Sequence, residues 1–273
     1  MIALAYPLGR KGKLMPFVLE ETRDHVGILT LDHDAKRNAL NRIMMDSLIE
    51  GLQRMKSDGA RVVILRANRG AAVWSAGHDI AELPKPGFDP LAYDDPLEKT
   101  IRAIQHFPAP IIAMIEGTVW GGACELALTC DIRIGTPQTS FAVTPAKIGL
   151  PYNLNGITNL VNALGPATAR EMAFTTQPLP AERAYQLGIL QYLVELEELE
   201  IFTLDLARKI TLNSPLSISV IKEQLRVLAG AYAIPPETFE RVQGLRKVAY
   251  ESSDYQEGID AFFQKRTPCF RGK

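Results

Sequence analysis

Several things are scarce in this chain, and each scarcity removes a class of chemistry. Its three cysteines, Cys124, Cys130 and Cys269, are odd in number and form no Cys-x-x-Cys pair. A disulfide scaffold is therefore not indicated, and a reducing, intracellular and cytoplasmic setting is expected. The four histidines, His25, His33, His78 and His106, stand singly, no His-Glu-x-x-His occurs and no carboxylate cluster replaces them, so no metal centre is expected. Charge of one sign is lacking too: 30 Lys and Arg face 31 Asp and Glu, with no long basic block. Neither nucleic acid nor a membrane surface is expected as a partner. No apolar run approaches the roughly 20 residues that cross a bilayer, so a soluble protein is expected. The opening "MIALAYPLGRKGKL" carries its basic residues after its apolar ones, the wrong order for a secretory signal, and it is not an Arg- and Ser-rich transit peptide. Met15 is a candidate start of the folded unit, with residues 1–14 as an extension.

What is present suits an ordinary globular core. The chain has 273 residues, 47% apolar and 22% charged, enough for one large domain or a domain with an appendage. "HVGILTLD" (25–32), "RVVILRAN" (61–68), "PIIAMIEG" (110–117) and "DIRIGT" (131–136) read as strands. Between them, Met44, Leu48, Leu52 and Met55 recur at helical spacing behind an Asn41 cap. Residues 96–106 and "GGACELALTC" (121–130) also read as helices. This alternation predicts an α/β fold with parallel pairing. The loop "LPKPGFDPLAYDDP" (83–96) holds four prolines and breaks the rhythm, as an active-site flap would. After about residue 197 the pattern is helical. No internal repeat is visible.

Motif-borne chemistries are few. No Gly-x-Gly-x-x-Gly follows a strand and no Gly-x-x-x-x-Gly-Lys-Ser/Thr occurs, so phosphate cradles are missing. Ser75, His78 and Asp79 have the letters of a hydrolase triad, but groups this close on one loop do not face each other in relay, and Gly-x-Ser-x-Gly is absent. Two glycine-bearing turns carry more information. Gly121 and Gly122 precede a helix, where free N–H groups and the positive end of the helix dipole converge. If the turn Ala76-Gly77-His78 lies beside it, the two turns can aim one N–H each at a single oxygen, as enolate chemistry requires. The plainer alternative is that these glycines only permit tight turns and close packing.

Four segments, "WSAGHDIAEL", "IEGTVWGGACELALTCDIRIG", "FAVTPAKIGLPYNLNG" and "YQEGIDAFFQKRTPCF", occur in an order that resembles the crotonase (enoyl-CoA hydratase/isomerase) superfamily. The resemblance spans about Met15 to the C-terminus. It implies a spiral of ββα units over residues 15–196, a helical oligomerisation region over 197–273, and assembly as a trimer or a dimer of trimers. Ile259, Phe262 and Phe263 would then serve an interface. It also implies a coenzyme A thioester as substrate, with no separate cofactor. The oxyanion hole would be the backbone N–H groups of His78 and Gly122, flanked by Gly77 and Gly121. Lys36, Ala39, and the amides of the loop from Ala76 to Ile80 become candidates for nucleotide and pantetheine binding. Lys265 is a candidate for the nucleotide of a neighbouring subunit. Each lysine taken alone is more often a solvated surface charge than a phosphate ligand.

One departure from the hydratase pattern bears on the reaction. Hydratases of this superfamily carry two glutamates; Glu125 fills the first position, but Pro145 stands at the second and cannot move a proton. Adding water calls for an activated water and a proton donor. Losing CO2 from a malonyl-type thioester needs only an oxyanion hole and a carboxylate held perpendicular to the thioester plane. The resemblance therefore favours decarboxylation, foremost of methylmalonyl-CoA, with Thr144 and Tyr152 orienting the carboxylate and relaying the proton. Glu125 is a site residue of open role, since an ionised carboxylate there would repel the substrate's own. The alternatives are an enoyl-CoA hydratase or isomerase and, in another class, a non-catalytic RNA-binding relative. The near-neutral charge opposes the latter, and salt-sensitive RNA retention would test it.

Overall fold

The structure, a computed structural model, describes residues 17–231 and 234–272. The expected extension and the start at Met15 lie outside the described residues. The described chain begins with an antiparallel pair, β1 (Val18–Arg23) and β2 (Val26–Leu31), and continues into α1 (Arg42–Ser57). The Asn41 side chain accepts the Met44 N–H at 2.9 Å, the expected cap, worth about 1 kcal/mol. Three units of two strands and a helix follow. They are β3 (Val62–Ala67), β4 (Val73–Ser75) and α2 (Pro96–Gln105); β5 (Ile111–Ile115), β6 (Thr118–Trp120) and α3 (Gly122–Thr129); and β7 (Ile132–Gly135), β8 (Ser140–Ala142) and α4 (Leu154–Thr175). The chain then runs through β9 (Leu179–Pro180), α5 (Ala181–Gln186), β10 (Tyr192–Leu193), α6 (Leu196–Thr211), α7 (Pro215–Ala229), α8 (Pro236–Glu251) and α9 (Ser253–Phe263).

The first strand of each unit joins a large sheet, β1-β2-β3-β5-β7-β10, and the second joins a small one, β4-β6-β8-β9. Pairing is parallel within both sheets except at β1–β2 and β8–β9. The strands read from the sequence pair in parallel as expected, and the two antiparallel pairs lie at sheet edges.

The strands β3 and β5 are apolar almost without interruption because both faces of the large sheet are covered. Val63, Leu65, Ile111, Ala113 and Ile115 point into the main core with Leu48 and Met55 of α1. Their neighbours Val62, Ile64, Ile112 and Met114 point the other way, against Leu199 and Ala207 of α6. The boundary drawn at residue 197 thus falls in the first turn of a helix that completes the sheet's second face. At the other end of the helical region, α9 closes on the 3-10 turn Pro145–Ile148: a Cβ placed on Gly258 would lie 2.4 Å from the carbonyl carbon of Ile148.

Candidate active site

Each unit passes from the large sheet to the small one and then into its helix, and the turns after β4 and β6 are adjacent because β4 and β6 pair in parallel. Gly77 makes the approach possible. At φ 83° it adopts a left-handed conformation, and a Cβ there would stand 2.4 Å from the Trp120 carbonyl oxygen and 3.0 Å from the Gly122 nitrogen. Gly121, at φ 53°, likewise holds a conformation that disfavours side chains. The turn after β4 is fixed from the opposite side. Leu40 N–H donates to the Gly77 carbonyl at 2.8 Å, Asp79 N–H to the Leu40 carbonyl at 3.2 Å, and the buried Ser75 hydroxyl to the Asn38 carbonyl at 2.6 Å. Ser75 is thereby a brace for the backbone rather than a nucleophile.

Two amides are left over. Neither the His78 nor the Gly122 N–H meets an acceptor among the described residues, and both residues line one cavity of about 640 Å³. A Cβ built on Gly122 would lie 3.6 Å from the His78 nitrogen, so the two donors stand side by side. Gly122 opens α3, and its N–H adds the positive end of that helix. The juxtaposition expected of the two turns is present.

The same cavity gathers Lys36, Ala39, Ala76, Ile80, Gly121, Thr144 and Tyr152. Gly77 does not line it but permits the close approach of the two turns that do. The Ala76 amide is bonded to the Arg37 carbonyl at 2.9 Å, that of Gly77 to the Ser75 hydroxyl at 3.2 Å and that of Asp79 to the Leu40 carbonyl at 3.2 Å, so three of the loop's candidate amides are spent in bracing it. Lys265 is not among the lining residues and lies exposed just beyond α9. The cavity also takes in residues the sequence did not single out. Arg37 and Lys147 add two exposed cations to Lys36, while Leu97, Trp120 and Leu150 supply apolar wall. Phe262 and Phe263 line it too, so these rings serve the chain's own cavity.

Beside Gly121, Thr144 precedes the 3-10 turn; a Cβ built on Gly121 would lie 3.2 Å from its hydroxyl, which makes no cap bond. The buried Tyr152 hydroxyl donates to the Gly121 carbonyl at 3.0 Å. Burial, with Cys124 and Glu125 nearby, holds the phenol well above its ordinary pKa, so it stays protonated. Glu125 is fully buried and absent from the cavity lining. Its Oε1 accepts from Asn159 Nδ2 at 3.0 Å, and its Oε2 has no hydrogen-bond partner among the described residues. Burial and then the charge of Glu98 push its pKa up to about 7, against the Asn159 bond. Glu98 is itself raised by burial, which its bonds from Asn153 and Asn155 oppose.

The His78 ring is turned from the two amides towards α2. Its Nδ1 lies 3.2 Å from the Asp79 carbonyl, and its Nε2 lies 3.7 Å from Asp95 Oδ2, an ionic contact too long for a hydrogen bond. Burial lowers its pKa, but Asp95, the Asp79 carbonyl and Glu82 outweigh it and the net shift is upward.

These features define a class. The chain belongs to the enoyl-CoA hydratase/isomerase family, whose pattern it matches over residues 21–273. It is 47% identical over 251 residues to the methylmalonyl-CoA decarboxylase of Escherichia coli strain K12, an overlap of 92% of this chain and 96% of that protein. Among solved structures it is similar to methylmalonyl-CoA decarboxylase in complex with 2-nitronate-propionyl-CoA, with a TM-score of 0.93 at 45% identity, covering 98% of this chain and 100% of that one. The 2,3-dehydroadipyl-CoA hydratase of the same organism is more distant, 28% identical over 260 residues, or 95% of this chain and 100% of that protein.

Proposed function

We propose that this enzyme is a carboxy-lyase that converts methylmalonyl-CoA to propionyl-CoA and CO2. One observation carries the reading: two unpaired amides face a cavity that no glutamate lines among the described residues. The thioester oxygen sits between the His78 and Gly122 N–H groups. As the bond from the α-carbon to the carboxylate breaks, its electron pair moves into the thioester and the oxygen becomes an oxyanion, which those donors stabilise. CO2 leaves, and the enolate carbon then takes a proton from water or a hydroxyl beside it. Thr144, whose hydroxyl is free of a cap, holds the departing carboxylate across the thioester plane. Lys36, Arg37 and Lys147 suit the phosphates of coenzyme A, which belongs to the substrate, and no further cofactor enters the scheme. Asp79, the carboxylate that does line the cavity, caps the Ala81 N–H at 3.0 Å.

An oligomer, a trimer or a dimer of trimers, and a cytoplasmic location are part of the same proposal. Helix α7 supports the first: Leu216, Ile221, Leu225 and Leu228 are between 53% and 79% exposed along it, an apolar surface that suits an interface. Among the described residues no helix is long and apolar enough to cross a membrane.

Purified protein incubated with methylmalonyl-CoA and with crotonyl-CoA, and followed by mass, tests the reaction. Propionyl-CoA should form from the first and little 3-hydroxybutyryl-CoA from the second; the reverse would establish a hydratase.

A further inference from the structure

We infer that Tyr152 is a positioning residue that acts on the substrate through the peptide bond between Gly121 and Gly122, rather than by donating to the departing carboxylate. The inference rests on the oxyanion reading above and deepens it. The carbonyl that receives the Tyr152 proton and the N–H that serves as an oxyanion donor are the two ends of one peptide group. A phenol has one proton to donate, and Tyr152 gives it to Gly121 at 3.0 Å. It cannot also give it to a carboxylate. The Gly121 oxygen accepts a second bond, from the Cys124 N–H at 2.9 Å.

Two donors on that oxygen have two effects. They fix the plane of a peptide whose leading residue, at φ 53° and ψ −126°, lies outside the helical geometry that would otherwise hold it. They also draw electron density towards the oxygen, making the Gly122 N–H a stronger donor, the cooperative polarisation of chained hydrogen bonds. Each half of the cavity is then braced from behind. The Gly77–His78 peptide offers its carbonyl to the Leu40 N–H at 2.8 Å and its own N–H to the cavity. The Gly121–Gly122 peptide repeats the pattern with a side chain in place of Leu40. Thr144, with a hydroxyl not used in capping, is left as the group that meets the carboxylate.

Propionyl-CoA separates this role from carboxylate orientation because it has a thioester carbonyl and no carboxylate. The infrared carbonyl band of saturating [1-13C]propionyl-CoA should move to lower frequency on binding the wild type. In Tyr152→Phe the band should return part of the way to its free position, while kcat on methylmalonyl-CoA falls about tenfold. Thr144→Val should leave the propionyl-CoA band in place and still slow decarboxylation. Placing 3-fluorotyrosine at position 152, a stronger acid of nearly the same shape, should move the band further down and guards against a Tyr152→Phe protein that folds poorly. A wild-type shift that neither change at position 152 alters would overturn the inference and return Tyr152 to the carboxylate. No shift in the wild type would overturn the oxyanion reading itself.

Discussion

On the proposed reading, the two ends of the reacting group meet different materials in the cavity. The thioester meets the backbone: two amides, His78 and Gly122, held by Gly77, Leu40 and the start of α3. The carboxylate meets a side chain, the Thr144 hydroxyl, while Tyr152 braces the Gly121 carbonyl and Glu125 lies buried outside the cavity lining. A backbone site is insensitive to the side chain of its own donor and sensitive to anything that moves the chain. A side-chain site has the opposite response.

The largest effect should therefore follow the smallest addition. Gly77→Ala places a methyl group against the Trp120 carbonyl and the Gly122 nitrogen in a left-handed backbone, so the two amides must part. We expect kcat/KM for methylmalonyl-CoA to fall about 100- to 1000-fold, the cost of losing an oxyanion donor, with circular dichroism unchanged. Thr144→Val, which removes one hydroxyl at the other end, should lower kcat by about 100-fold at most, the bottom of the range for a general acid. Binding of propionyl-CoA, measured by calorimetry, should stay the same.

His78→Ala sharpens the comparison because it keeps the amide and deletes the ring. Turnover should fall by less than about tenfold, short of the loss of an oxyanion donor. A deeper loss with the fold intact would give the imidazole a chemical role.

Glu125→Gln should change decarboxylation least, within about threefold, since the carboxyl does not reach the cavity and uniform packing is kept. Its signature is in stability. The folded-state pKa is raised to about 7, so the protonated form is the one the fold favours. The contribution of Glu125 is intact below the ordinary carboxylate range and is lost as pH rises through about 7. The variant should be close to the wild type in unfolding free energy at pH 5 and exceed it at pH 8, by roughly 3 kcal/mol if the whole shift is relieved. Equal unfolding free energies at both values would mean that the fold does not raise the Glu125 pKa.

The same contrast marks what could be seen in the sequence. The strands β2, β3, β5 and β7 and the helices α1, α2 and α3 were legible because each is long enough to show a period or an unbroken apolar run. The small sheet was not: β4, β6 and β8 have three residues each, too few for alternation to register. Helix α4 escaped because Gly165, at φ 72°, and Pro166 break its pattern in the middle. The three ββα units look unlike one another in sequence although their paths are alike, since each helix meets different neighbours: α2 packs on α1, α3 on α2 and α4. Of the site, the donor pair was readable from two glycine turns and the family pattern. The partners that make the pair work were not. Asp95 reaches His78 from α2, Tyr152 reaches back 31 residues to Gly121, and Phe262 and Phe263 arrive from the helical region.

The ties between the proline-rich loop and the helical region also bear on the order in which the protein acquires its shape. Arg246 of α8 grips Asp89 through two bonds, at 2.6 and 2.9 Å, across 157 residues of sequence. The Tyr255 hydroxyl of α9 reaches the Pro84 carbonyl across 171. Contacts so distant along the chain carry a large loop-closure cost and form after the local ones that the large sheet and its crossover helices provide. On dilution from denaturant the helical and sheet signal should therefore recover first, leaving for a time a chain with its amides in register and its cavity without a roof; turnover returns only when α8 and α9 dock.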